Sequence, residues 1–497
     1  MKGDFHIGEK LCIILGMDKK LVNNYLYNVL YQIFVLITPF ITVPYVTRTL
    51  GATVAGINDW TAGNVQWFVL IGQLGVAIYG NKTIAQNRDD VNLRSKIFWE
   101  IFAMQLISMG LSLLAYIVFI YVGNAPQYRL YAAIQAISLI SVSLDVTWLF
   151  YGMEDFKKAS LRNVIIKILS IFCIFAFIKK PEDLPWFIFI NATSGVIGQC
   201  WMWLQVKEYI HFEKINWQGI VRHFKPNFLL FVPQIATSIY TMLDVSMLGY
   251  LYANKAHVSF YQQAQRFIKM FLFFITSIGT VMLPRVANLH QKGENDAIFD
   301  YIKITLQMAV YLSLPMIAGM CCMIGSFIGW FFDAEYALVT PLIQITSPII
   351  FFISLSNVYG TQYLLPIGQT KIYTRSVVSG AVCNAVLNAL LMPRFGAFGA
   401  VIASVCAEFI VTLTQWSYIH KHTKIRLKSE WFVKYGSVSV LMGLVVYGLS
   451  NALPYNIGSN IISVGCGCIV YFVTLVLIKD EFTLKLLAKV KGMVKRG

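Results

Sequence analysis

Apolar stretches of about twenty residues, separated by short basic loops, fill almost the whole chain. A helix of that length crosses the ~30 Å hydrocarbon core of a bilayer, and only helices or closed barrels can satisfy their backbone there. The pattern therefore predicts an all-α integral membrane protein. It gives about fourteen spans, with limits near 23–46, 57–79, 98–122, 129–151, 163–178, 184–206, 227–249, 258–283, 304–331, 341–365, 374–392, 397–418, 432–451 and 457–478. Charged residues make up 13% of the 497, against about 25% in a soluble domain, which points the same way.

The basic residues alternate from loop to loop. One set of loops carries groups such as Lys82, Arg88, Arg94 and Lys96, or Lys157, Lys158 and Arg162. The tail adds Lys479, Lys485, Lys489, Lys491, Lys495 and Arg496. The other set holds little beyond Arg48, Lys179, Lys180, Lys255 and Arg394. Positive loops stay on the cytoplasmic side, so both termini are expected inside. Trp60, Trp186 and Trp431 sit at span ends as interfacial anchors. The net charge of +16 is thereby explained by topology, and nucleic acid is not expected as a partner.

No cleavable signal is evident, because the apolar run at 11–16 is too short. Met17 offers an alternative start to Met1. The nine cysteines are scattered, mostly within spans, without metal-ligand spacing, and are expected to pack helices. No phosphate-binding loop, HExxH or GxSxG occurs, so neither an enzyme nor a metal site is expected.

The first span begins at Asn28 and closes on Leu50-Gly51; the seventh begins at Asn227 and closes on Leu248-Gly249. This echo suggests two six-span lobes of the same orientation, a known transporter design. The expected divisions are a cytoplasmic N-terminus at 1–22, an N-lobe at 23–206 and an inter-lobe loop at 207–226. A C-lobe at 227–418, two further helices within 432–478 and a basic cytoplasmic tail at 479–497 follow.

Charge inside an apolar span costs several kcal/mol unless it meets a polar cavity or a partner. In the eighth span Gln262, Arg266 and Lys269 fall at i, i+4 and i+7, on one helical face. Arg266 lies roughly 15 Å from the outer end of that span, near mid-membrane. A guanidinium binds phosphate bidentately and an ammonium adds a point charge, so the face suits an anionic cargo. The bland alternative is an ion pair with Asp145 or Asp244. Arg48 closes the first span, either snorkelling to the interface or guarding a cavity mouth. Asp145 in the inner half of the fourth span, Asp244 near the outer end of the seventh and Glu408 midway along the twelfth are candidate sites for a coupling ion, Na⁺ or H⁺. No other cofactor is expected. Pro39, Pro44, Pro226, Pro233, Pro315 and Pro348 mark bends in the spans.

Several stretches taken together carry a resemblance. They include Pro44-Tyr-Val-Thr-Arg48-Thr-Leu-Gly51, Leu74-Gly-Val-Ala-Ile-Tyr-Gly80 and Asp145-Val-Thr-Trp148-Leu-Phe-Tyr-Gly152-Met-Glu154-Asp-Phe156. Pro226 to Pro233-Gln-Ile-Ala, Leu243-Asp244-Val-Ser-Met-Leu-Gly249, Leu283-Pro284-Arg285, Leu365-Pro-Ile-Gly368 and Phe395-Gly-Ala-Phe-Gly399-Ala continue the order. Over nearly the whole chain this resembles the Wzx-type polysaccharide repeat-unit flippases of the MOP transporter superfamily. The resemblance implies two six-helix lobes in a V around a central cavity, plus two C-terminal helices. It implies an undecaprenyl-pyrophosphate-linked oligosaccharide as cargo for O-antigen or capsule synthesis, moved by ion-driven alternating access in a bacterial plasma (inner) membrane. Arg48, Arg266, Lys269 and Gln262 would then face the pyrophosphate. Membrane lipids, a polysaccharide polymerase and glycosyltransferases are the implied partners, and the chain is expected to work as a monomer. A multidrug-type exporter of the same superfamily and a peptidoglycan-precursor flippase are the alternatives.

Overall fold

The structure, a computed structural model, describes residues 19–494. The alternative start at Met17, the tail residues Lys495 and Arg496, and the side chain of Pro233 lie outside the described residues. Helices account for every regular element among the described residues. The chain divides into two compact units, Met1–Ser246 and Met247–Gly497.

Unit 1 contains α1 (Lys19–Gln73), α2 (Val76–Gln86), α3 (Val91–Gly123), α4 (Arg129–Ser143), α5 (Thr147–Gly152), α6 (Phe156–Phe177) and α7 (Leu184–Val206). It also holds most of α8 (Trp217–Leu251), which begins within the expected inter-lobe loop. α1 runs through Pro39 and Pro44 without interruption, as membrane helices can. It breaks instead at Gly51, whose φ of 74° and ψ of 166° suit glycine almost exclusively. Asp90 and Asp155 cap α3 and α6, their carboxylates accepting from the amides of Leu93 (3.0 Å) and Lys158 (3.3 Å). α2 crosses α5 at Gly80, where a Cβ would stand 2.6 Å from the Trp148 ring. That close approach completes a core of Ile84, Phe98, Ile101, Met104, Trp148, Phe150 and Met202.

Unit 2 contains α9 (Ala256–Gln291), α10 (Asn295–Phe331), α11 (Val339–Thr346), α12 (Pro348–Ser356) and a π-helical turn at Asn357–Leu364. It continues through α13 (Thr370–Phe395), α14 (Ala397–His422), α15 (Ser429–Ala452), α16 (Ile457–Leu477) and α17 (Glu481–Val494). Its core is built around Tyr311, Tyr435 and Tyr471, and the Tyr471 hydroxyl donates to the Tyr311 carbonyl at 2.8 Å. Such aromatic bodies suit an apolar interior when their polar tips find partners.

The surface inverts the soluble pattern. On α3, Leu111 (64% exposed), Leu114, Val118 and Val122 (84% exposed) follow each other at helical spacing and face outward. An apolar stripe of this kind meets lipid, and the chain is a multi-pass membrane protein.

The expected spans fall on helical stretches, but the expected fourteen are not matched by separate apolar helices. Ten helices among the described residues are long and apolar enough to cross, or eleven if the bent pair Ala334–Thr346 and Pro348–Leu364 forms one span. The first expected span and most of the second fall on α1, which continues as helix on both sides of Gly51 with no loop between, and the second ends in α2. α8 and α9 fall outside the ten among the described residues, and α9 carries Gln262, Gln263, Gln265, Arg266 and Lys269. The fourth expected span is two helices, α4 and α5, with Leu144-Asp145-Val146 between them.

Candidate functional site

Asp145 does not sit within a continuous helix as expected, but in the break between α4 and α5. Broken backbone at membrane depth needs partners for every freed carbonyl. Gln105 of α3 supplies most of them, its amide nitrogen lying 3.1, 3.1 and 2.9 Å from the carbonyls of Val142, Ser143 and Asp145. The Trp203 indole donates to the Leu144 carbonyl at 2.9 Å, and the Trp148 indole to the Asp145 carbonyl at 3.0 Å. The break is thus a pinned structure held from α3, α5 and α7.

Three donors converge on one oxygen of the Asp145 carboxylate. They are the Thr147 amide at 2.9 Å, the Thr147 hydroxyl at 2.5 Å and the Gln199 amide at 3.1 Å. Gln199 in turn accepts from the Arg162 guanidinium at 3.2 Å, and that guanidinium also donates to Asn163 at 2.7 Å. Arg162 was expected in a basic cytoplasmic loop; it lies inside α6, with only 7% of its surface exposed. The buried cation and the carboxylate are joined through Gln199, whose oxygen faces the cation and whose nitrogen faces the anion. Charge-assisted hydrogen bonds of this type are about twice as strong as neutral ones.

A fully buried acid lies in unit 1 near the start of α8. Glu100 of α3 is buried and accepts from Arg222 and, at 3.1 Å, from His223. The other nitrogen of the His223 ring meets the Tyr79 hydroxyl at 2.6 Å. Burial pushes the His223 imidazole below its ordinary pKa, with the Glu100 hydrogen bond opposing the shift. The neutral ring fits the geometry, one nitrogen donating to Glu100 and the other accepting from Tyr79.

In unit 2 the stripe on α9 stands as its spacing implied. Tyr261, Ala264, Ile268 and Leu272 are buried, whereas Gln262 is half-buried and Arg266 and Lys269 are exposed. Arg266 donates to Gln263 at 3.3 Å. Gln262, Arg266 and Lys269 therefore share the open face of one helix. Arg48 is exposed on α1, three residues ahead of the Gly51 kink. Asp244 on α8 and Glu408 on α14 are both buried. Asp145, Asp244 and Glu408 stand on three different parts of the chain. No group of three metal-ligating side chains stands together among the described residues.

Four residues escaped the sequence reading: Gln105, Arg162, Gln199 and Glu100. Glu100 carried a legible signal, being an acid two residues inside an expected span. Arg162 did not, because it continues the run begun by Lys157 and Lys158. The two glutamines are uncharged and acquire meaning only beside their partners.

Residues 21–290 match the family described as "Polysaccharide biosynthesis protein". The chain belongs to that family. Residues 230–390 also match the MatE family. Among curated proteins, the "Putative O-antigen transporter" of Escherichia coli (strain K12) is 22% identical over 408 residues, covering 80% of this chain and 96% of that one. The "Probable low-salt glycan biosynthesis flippase Agl15" of Haloferax volcanii is 21% identical, covering 84% of this chain and 87% of that one. Among solved structures, "Lipid II flippase MurJ, inward closed conformation" matches with a TM-score of 0.73 at 15% identity, covering 92% of this chain and 99% of that one. That likeness concerns the fold alone. Family and fold both bear out the resemblance read from the ordered motifs.

Proposed function

We propose that this chain is a flippase that carries undecaprenyl-pyrophosphate-linked oligosaccharide repeat units from the cytoplasmic to the outer leaflet of a bacterial plasma membrane. Membership of a polysaccharide biosynthesis family supports the glycan class, and the names of the two relatives support transport. The observation that carries the reading is the open face of α9, where Arg266 and Lys269 stand beside Gln262 on a helix expected to span the bilayer. A pyrophosphate needs a cationic partner of this kind once it leaves water. Arg48 is proposed as a further cation for anionic cargo, and Asp145, Asp244 and Glu408 are the carboxylates proposed to bind the coupling ion.

The test is the leaflet that holds the lipid-linked glycan. After deletion of the gene, a membrane-impermeant lectin or glycosidase is applied to intact spheroplasts. The expected result is an intact repeat unit trapped on the cytoplasmic face, released by wild type and not by Arg266→Ala or Lys269→Ala proteins that still insert. A normal outer-leaflet pool in the deletion strain would refute the reading. Normal surface polysaccharide from the double variant would refute the cationic site. The MatE match favours a second reading, small-molecule export. The cationic face weighs against it for cationic drugs, since like charges repel.

A further inference from the structure

The last helix, α17, follows the final span through a sharply fixed turn. Lys479 adopts a left-handed φ of 54°. Its amide bonds the Val476 carbonyl at 3.0 Å, and the Asp480 amide bonds the Leu475 carbonyl at 2.9 Å. This is the double hydrogen bond that closes helices whose next residue is left-handed. Asp480 then starts α17, accepting from the Thr483 amide and hydroxyl, both at 2.9 Å. It is almost fully buried and is also held by Lys434 of α15 at 3.0 Å. Phe482 and Leu486 pack on the core of unit 2. The direction in which α17 leaves the last span is therefore set by backbone geometry, a cap, an ion pair and packing.

The rest of the helix points to what lies beside it. Leu477 and Ile478, at the end of α16, are exposed apolar residues at the boundary of the last span. Beyond the turn, Leu484 and Leu487 are exposed too. Lys485 is exposed, and the sequence goes on with Lys489, Lys491, Lys495 and Arg496 against the single acid Glu481. Exposed leucines beside an exposed lysine, at the end of a span and in a lysine-rich sequence, match the acyl boundary and the headgroup layer.

We propose that α17 is an interfacial helix whose partner is the anionic phospholipid headgroup layer of the adjoining leaflet. Leu484 and Leu487 enter the acyl boundary, and the lysines bind the phosphates. The inference is independent of the cargo. The experiment places the full-length protein in nanodiscs of phosphatidylcholine alone, or with an equal part of phosphatidylglycerol. Amide hydrogen exchange is read over 481–494. Each lysine near an anionic surface contributes about five-fold in affinity, so phosphatidylglycerol is expected to slow exchange about five-fold or more. The effect should vanish in the triple variant Lys485→Gln, Lys489→Gln, Lys491→Gln, and should fade at about 1 M salt, where the Debye length is about 3 Å. The Asp480 cap and the Phe482 and Leu486 packing are untouched in that variant, so the helix should persist by circular dichroism. Equal exchange in the two lipids would overturn the proposal, as would a lipid effect that survives in the triple variant. Protection that arises only when a second protein is added would overturn it as well and assign the surface to that protein.

Discussion

Arg162 and Asp145 bring opposite charges into unit 1, linked through one amide side chain. Arg162 is buried and Asp145 half-buried, and removing one partner of such a hydrogen-bonded network costs about 1–3 kcal/mol. Here Gln199 and Thr147 would retain part of the solvation of either charge, so Arg162→Met and Asp145→Asn are each expected to destabilise by about 1–3 kcal/mol. The double variant should lose less than the sum, with a coupling of about 1 kcal/mol or more in unfolding measurements in detergent. Strict additivity would mean that the two charges do not sense each other. If Asp145 also binds the coupling ion, Asp145→Asn that still inserts should move glycan at a rate indifferent to an imposed ion gradient. Retained gradient dependence would remove it from that role. Asp145 was legible because an acid in an apolar run is conspicuous by itself. Its network was not, since Gln105 and Gln199 resemble any polar residue in a packed helix and Arg162 hides in a basic run.

At the scale of elements, the apolar runs located the helices well and the breaks poorly. The prolines are the bends that the sequence leads one to expect. α1 passes through Pro39 and Pro44 and turns at Gly51, because a proline costs a membrane helix only a hydrogen bond that neighbours can replace. A change of sign in φ has no such remedy. The break at Leu144–Val146 contains neither proline nor glycine, and depends on donors from α3 and α7 that no local pattern announces. Gly51→Ala forces a side chain into a region of backbone space that is essentially glycine's alone. It is expected to lower stability by about 1–3 kcal/mol, read as the thermal midpoint of the purified protein. Gly110, in the interior of α3, faces open space: a Cβ added there would meet no atom within 4 Å. Gly110→Ala should therefore be neutral or stabilising by up to about 1 kcal/mol. Equal losses at the two positions would show that the kink carries no backbone strain.

Across the whole molecule, two buried acid clusters at span ends, one in each unit, respond to pH in different windows. In unit 1 burial holds the His223 ring below its ordinary pKa of about 6.5. The unfolded chain takes up that proton first as pH falls. The stabilisation is complete above about 6.5 and is lost as pH falls towards the folded value, by at most about 1.4 kcal/mol per pH unit. In unit 2 burial alone would raise Asp480, but the Thr483 hydrogen bonds and Lys434 outweigh it and hold the carboxylate below its ordinary value. Its contribution is present above about 4 and disappears only as pH falls through the lower folded value. Acidification from pH 7 to 5 should thus loosen the start of α8 while leaving the start of α17 intact. Amide exchange, corrected for intrinsic rates, is expected to accelerate over 217–227 by up to about tenfold per pH unit, with no change over 479–486 until below about pH 4. His223→Gln should flatten the first response and spare the second. A response over 217–227 that survives in His223→Gln would remove the His223 ring as its source.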